Sequence, residues 1–152
     1  MTSSPTHDTP IEWRLHYDAP CSLYTHPAEL AAVAKLAGHT PPPLEGARVL
    51  EVGCALGGNL SPIAATLPSS ATLIGVDPFV EQIEQAQRRA EQMGLTNVTY
   101  LPLGVEELDQ VEGAFDYIIC HGLLSWIPQE AQLATFELCA RRLSPQGVAY
   151  IS

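Results

Sequence analysis

Lysine is almost absent: Lys35 is the only one in 152 residues, and Lys and Arg together number 7 against 17 Asp and Glu, for a net charge of −10. Polyanion binding needs clustered base, because neutralised phosphates supply most of the non-specific affinity. The two basic pairs, Arg88-Arg89 and Arg141-Arg142, fall in expected helices and read as solvated faces, so nucleic acid is not an expected partner. Cys21, Cys54, Cys120 and Cys139 are widely spaced, with no C-x-x-C pair and no His at metal-ligand spacing. Neither a disulfide framework nor a metal site is expected, and a reduced, cytoplasmic protein is the simplest reading. The first residues, "MTSSPTHDTP", hold no basic or apolar leader. No run approaches the ~18 apolar residues of a membrane span. Export and membrane insertion are therefore not expected.

What is present suits a folded α/β protein: hydrophobic residues are 46 % and charged ones 16 %, a balance too apolar for a disordered chain. Residues 1–10 are polar, with two prolines, and are expected to be disordered. "PAELAAVAKLAG" predicts a short helix with Pro27 at its start, Leu30, Val33, Ala34 and Ala37 at helical spacing, and Gly38 as its cap. "HTPPPLEGA" then breaks regular structure and divides an N-terminal segment, 1–44, from a core, 45–152.

In the core, strands and helices alternate. "RVLEV", "ATLIGV", "NVTYLPL", "FDYIIC" and "VAYIS" read as strands. Between them lie three helices: "LSPIAATL"; "PFVEQIEQAQRRAEQMG", with Phe79, Ile83, Ala86, Ala90 and Met93 in phase and Pro78 first; and "PQEAQLATFELCARRL", with Leu133, Phe136, Ala140 and Leu143 on one face. "SPQG" reads as a turn before the fifth strand. This βαβ alternation of nearly continuous apolar strands predicts a Rossmann-like parallel sheet with helices on both faces. The fifth strand begins just before Ser152 with no covering helix, and an open apolar edge invites pairing. Either a longer polypeptide or a protein partner is expected to cover it.

Ligands of such sheets bind outside the carboxyl ends of the strands, beside the first one. "GCALGG", residues 53–58, lies there. Gly53 and Gly57 permit close backbone approach and φ values other residues avoid, and the next helix offers unpaired N–H groups. The competing reading is a tight strand-to-helix turn with no ligand. Glu51 sits near the end of a strand buried on both faces, where a carboxylate is costly unless donors reach it; backbone amides or a ligand would serve. Asp77 ends "LIGVDP", 24 residues after Gly53. An acid there can accept both hydroxyls of a ribose, or it can cap the following helix, worth about 1 kcal/mol.

"LEVGCALGGN", "IGVDP", "FDYIICHGLLSWIP" and "LSPQGVAYIS", in this order, resemble a class I S-adenosylmethionine (SAM)-dependent methyltransferase. More narrowly, "THPAELAAVAKLAG", "PPP", "GGNLSPIA" and "HGLLSWIP" resemble bacterial methyltransferases whose core is followed by a methyltransferase regulatory domain. The resemblance, over roughly residues 17–152, implies a loop of Glu51, Gly53, Cys54, Ala55 and Gly57 around the methionine part of SAM, with Asn59 close by. It implies Asp77 on the ribose hydroxyls and Pro78 and Phe79 beside the adenine. Such enzymes often place an acid after the third strand to bond the adenine amino group; Leu103 and Gly104 stand there, and a backbone contact would have to substitute. The N-terminal segment often covers the cofactor, and Tyr17 or Tyr24 could shield a sulfonium, although both read first as surface anchors.

His121 follows the fourth strand, where the methionine end and the acceptor would meet. It is the one candidate general base; the competing expectation is that its backbone lines the cofactor and its side chain bonds a neighbouring loop. Ser125 has no paired base, and Trp126, a candidate pocket cap, reads first as core. The expected function is transfer of a methyl group to an unidentified acceptor. Two rivals stand beside it: a truncated or degenerate SAM-binding module acting with a partner, and a nicotinamide-dependent oxidoreductase. Against the last, G-x-G-x-x-G is met only with Ala55 in its second glycine position.

Overall fold

A computed structural model describes residues 21–152. Five strands, β1 (Arg48–Val52), β2 (Thr72–Val76), β3 (Val98–Leu101), β4 (Phe115–Cys120) and β5 (Leu143–Ile151), form one sheet in the order β3-β2-β1-β4-β5. Every neighbouring pair is parallel. Helix α1 (Pro27–Leu36) precedes the sheet, while α2 (Leu60–Thr66), α3 (Val80–Gln92) and α4 (Gln129–Arg142) connect its strands. A 3-10 turn, Val105–Gln110, lies between β3 and β4. The chain is the Rossmann-like α/β fold that its alternation predicts.

The core explains why the strands read as unbroken apolar runs. Val49 of β1 packs with Leu73, Tyr117 and Ile119 beneath Leu30 of α1, Ile63 of α2, and Ile83 and Ala86 of α3. Its neighbours Leu50 and Val52 turn to the opposite face, with Val76, Phe115, Ile118 and, from α4, Leu138 and Cys139. A strand covered on both faces has no polar side to show. α1 thus shares the core of the sheet. The prolines before β1 are pinned too, since the buried Tyr117 hydroxyl donates to the Pro42 carbonyl at 2.6 Å.

Four local expectations change. α3 starts at Val80 rather than Pro78, because Asp77 Oδ1 holds the Phe79 N–H at 3.0 Å and keeps Phe79 extended. β3 ends at Leu101, where the Leu103 N–H turns back onto the Leu101 carbonyl at 2.9 Å; the intervening Pro102 has no ladder proton to give. The Leu133 face of α4 is not its buried face: Leu133 and Phe136 are 56 % and 49 % exposed, while Thr135, Leu138 and Cys139 face the sheet. Thr135 tolerates this because its hydroxyl donates to the Ala131 carbonyl at 2.8 Å. Finally, "SPQG" lies inside β5 as an irregularity: the register steps from Phe115↔Leu143 to Tyr117↔Val148. The Ser144 hydroxyl donates to Asp116 Oδ1 at 2.8 Å and holds the bulged chain against β4.

Candidate cofactor site

The topological switch lies at β1, whose neighbours β2 and β4 continue into connections running in opposite directions. At its carboxyl end the Gly53 and Cys54 N–H groups both donate to the Val76 carbonyl, at 2.8 and 3.0 Å, folding the loop across the end of β2. Gly53, Ala55 and Gly57 have φ of +75°, +46° and +72°, and Ala55 is the one non-glycine with positive φ among the described residues. Such strain persists where the surroundings impose it. Here Asp77 does so, accepting the Ala55 N–H on Oδ2 at 3.1 Å and the Phe79 N–H on Oδ1 at 3.0 Å. The helix-cap reading of Asp77 is shifted, since Phe79 and not Asp77 is the N-cap of α3; each carboxylate oxygen instead fixes loop backbone, and each keeps a lone pair. Burial raises its pKa, and the Phe79 and Ala55 N–H groups oppose that.

Part of the glycine pattern serves packing. A Cβ on Gly57 would lie 2.6 Å from the Tyr100 hydroxyl oxygen, and one on Gly75 2.7 Å from the Tyr100 ring. That hydroxyl is itself held by Ser61 Oγ at 2.7 Å. Gly57→Ala is expected to destabilise the chain by about 2 kcal/mol, read as a lowered urea midpoint with unchanged slope. Cys54 is buried, its thiol raised well above the ordinary range by burial and then by the Glu51 and Asp77 carboxylates. Its side chain is inert.

Glu51 is 4 % exposed. Its Oε1 accepts the Asn59 side-chain N–H at 2.7 Å, while Oε2 is buried with no partner among the described residues. Burial pushes the carboxyl up to about 7, and the Asn59 hydrogen bond only partly opposes it. An unpartnered buried oxygen costs about 1–3 kcal/mol, more when charged, so a donor arriving there is strongly favoured.

A cavity of about 440 Å³ opens beside this loop, walled by Gly53, Asp77, Pro78, Phe79, Gly104 and Trp126, among others. Its apolar walls, with Asp77 at the end of β2 among few polar groups, suit a nucleoside. Leu103, expected here with Gly104, packs instead into the core. Trp126 is not core but rim, 60 % exposed. Glu106, which sequence reading passed over, also lines the cavity. The Val105–Gln110 turn carries it there, while Glu107 Oε2 accepts the Gly104 N–H at 3.0 Å. The only signal was the acidic run "VEELD", displaced two residues beyond the expected position.

A second cavity, about 580 Å³, is walled by Cys21, Ser22, Leu23, Tyr24, Glu29 and His121. Tyr24 is 78 % exposed; Tyr17 lies outside the described residues. His121 Nδ1 lies 2.9 Å from Ser152 Oγ, and its ring stands 5.9 Å from that of Tyr150. No helix among the described residues is long and apolar enough to cross a membrane.

A doubly wound sheet with a strained glycine loop, an acid at the tip of β2 and an apolar cavity between them defines a nucleoside-binding α/β domain. Comparison narrows the class. Residues 49–147 match the methyltransferase domain family, and the chain belongs to the class I SAM-dependent methyltransferases. It is 41 % identical over 128 residues to the protein RP789 of Rickettsia prowazekii, described only as uncharacterized, covering 84 % of this chain and 23 % of that protein. It is 33 % identical over 111 residues to the ubiquinone biosynthesis O-methyltransferase of Paracidovorax citrulli, covering 72 % of this chain and 44 % of the enzyme. Among solved structures, PKMT2 from Rickettsia typhi in complex with AdoHcy superposes with a TM-score of 0.83 at 38 % identity, over 88 % of this chain and 25 % of that one. The chain spans between about a quarter and a half of the length of these relatives.

Proposed function

We propose that residues 45–152 form the SAM-binding core of an enzyme that methylates an acceptor. The observation that carries this reading is Glu51: a buried carboxylate with one unpartnered oxygen, at the carboxyl end of the central strand, fits a ligand that brings a cationic donor. A nicotinamide dinucleotide would instead ask that end of the loop to hold a pyrophosphate.

SAM, when bound, supplies an electrophilic methyl group on a sulfonium; the protein's part is to hold, orient and exclude water. Glu51 would accept from the ammonium of the methionine end. Asp77 would take the ribose hydroxyls on its remaining lone pairs, and Gly53 offers bare backbone. Pro78 and Phe79 would flank the adenine, and Glu106 would supply the acid for its amino group that Gly104 lacks. The second cavity, between Tyr24, Glu29 and His121, is the proposed acceptor side. The Ser152 contact suits the expectation that His121 bonds a neighbouring segment rather than serving as a base.

Isothermal titration of the purified chain with SAM, AdoHcy and NAD tests the reading: micromolar binding of the first two and none of the third is expected. NAD binding alone would overturn it. Glu106→Ala is expected to weaken SAM about tenfold, the worth of one charge-assisted hydrogen bond, with unchanged thermal stability of the free chain. A second reading rests on β5, whose outer edge has no ladder partner among the described residues. There we place a protein partner or a further stretch of chain, and the core by itself could then bind SAM without turnover. AdoHcy formation by residues 1–152 with a Rickettsia-type or quinone-type acceptor extract would count against it.

A further inference from the structure

Asn59 stands at the N-cap of α2, where an Asn side chain ordinarily accepts from its own helix, yet it makes no such bond. It is 2 % exposed and fully engaged elsewhere. Its Nδ2 donates to Glu51 Oε1 at 2.7 Å. Its Oδ1 accepts the Ser22 backbone N–H at 2.9 Å and the Thr25 hydroxyl at 3.0 Å, a hydroxyl shared with the Ser22 carbonyl at 2.8 Å. One buried amide therefore joins the cofactor carboxylate to a 3-10 turn, Leu23–Thr25, more than thirty residues earlier in the chain.

Among the described residues, that turn has little else to hold it. Leu23 and Tyr24 are 76 % and 78 % exposed, and only Thr25 is buried. The next anchor is His26, whose Nδ1 accepts the Ala28 N–H and whose Nε2 meets Thr66 Oγ1 at 3.0 Å. Yet the turn forms one wall of the cavity that His121 faces. If Asn59 let go, it would find no donor at the start of α2, because the Ser61 N–H already goes to the Gly57 carbonyl at 3.0 Å and Pro62 has none to give, and Glu51 would lose its one hydrogen bond. The amide thus has one satisfied arrangement, and it serves the turn and the carboxylate together.

We propose that Asn59 is a positioning residue rather than a cofactor contact: it couples the seating of the Ser22–Thr25 turn over the acceptor-side cavity to the filling of the Glu51 site. This rests on the SAM reading above. Coupling of this kind is reciprocal: whatever the seated turn does for SAM affinity, bound SAM does for the seating of the turn.

A double-mutant cycle on the full chain tests it, with SAM affinity measured for wild type, Thr25→Val, Glu51→Gln and the pair. Thr25→Val, isosteric and remote from the nucleoside cavity, is expected to weaken SAM about fivefold to tenfold alone and less than twofold in the Glu51→Gln background. Thr25→Ser, which keeps the hydroxyl, should restore wild-type affinity. Equal losses in both backgrounds, or none in either, would overturn the coupling while leaving SAM binding standing. A wild-type chain that binds no SAM would overturn both readings together. Should Thr25→Val fail to fold, hydrogen exchange on the wild type decides: SAM should slow exchange of the Ser22 amide about tenfold or more, and an unchanged rate sinks the proposal.

Discussion

Glu51→Gln is expected to weaken SAM binding about 100-fold, the scale of removing one partner from a buried charge pair, and to flatten the pH dependence of the free chain's stability. The sign follows from its raised carboxyl. Unfolded, the group titrates near 4.5; folded and unliganded, near 7. Between those values the native state holds a proton that the unfolded state has released, so unfolding free energy falls as pH rises. The stabilisation is fully present below about 4.5 and lost through about 7. Its size is about 3 kcal/mol, for a rise from 4.5 to about 7 at about 1.4 kcal/mol per tenfold change in proton affinity. Asp77, also raised by burial, acts in the same direction. Urea unfolding at pH 5 and pH 8 measures this directly, and Glu51→Gln should lose most of the difference. A ligand that brings a cation to Oε2 favours the ionised form, so SAM should release protons on binding at pH 6 and raise the melting temperature more at pH 8.

The second large effect concerns Asp77. Asp77→Ala should take SAM binding below detection, because it removes the proposed ribose acceptor and releases the Ala55 and Phe79 N–H groups that it holds. It should also cost the free chain about 1–2 kcal/mol, the loss of two backbone hydrogen bonds partly offset by water. Asp77→Asn separates the two effects. Its remaining carbonyl oxygen can still accept the Phe79 N–H, so stability should stay within about 1 kcal/mol of wild type. Binding should still fall at least about tenfold, because a neutral amide accepts a diol less well than a carboxylate. Calorimetric titration beside urea midpoints distinguishes them. Asp77→Asn with full SAM affinity would show that the acid serves the loop alone.

The legible and illegible parts of this protein divide by the range of the interactions involved. β1 and β4 occupy the residues their apolar runs predict, since burial on both faces writes itself into consecutive positions. The order of strand, glycine loop and acid was legible for the same reason: Gly53 and Asp77 answer to local needs, a positive φ and a tight turn, that few residue types meet. The buried face of α4 was not, because Thr135 can turn inward only with its hydroxyl satisfied within the helix, while Leu133 and Phe136 lie outward. Trp126 and Glu106 reached the cavity through short 3-10 turns that have no sequence period.

Sequence by itself determined the layered α/β architecture, the place of the loop and the two acids that flank it, because each depends on neighbours a few residues away. Tertiary structure alone decided which glycines answer to Tyr100 and that Glu106 lines the cavity. It also decided that Asn59 spends its side chain on Ser22, Thr25 and Glu51 instead of on its own helix. Apart from the Asn59–Glu51 bond, these are contacts between segments tens of residues apart, made only when the sheet has closed and the groups are driven out of water together.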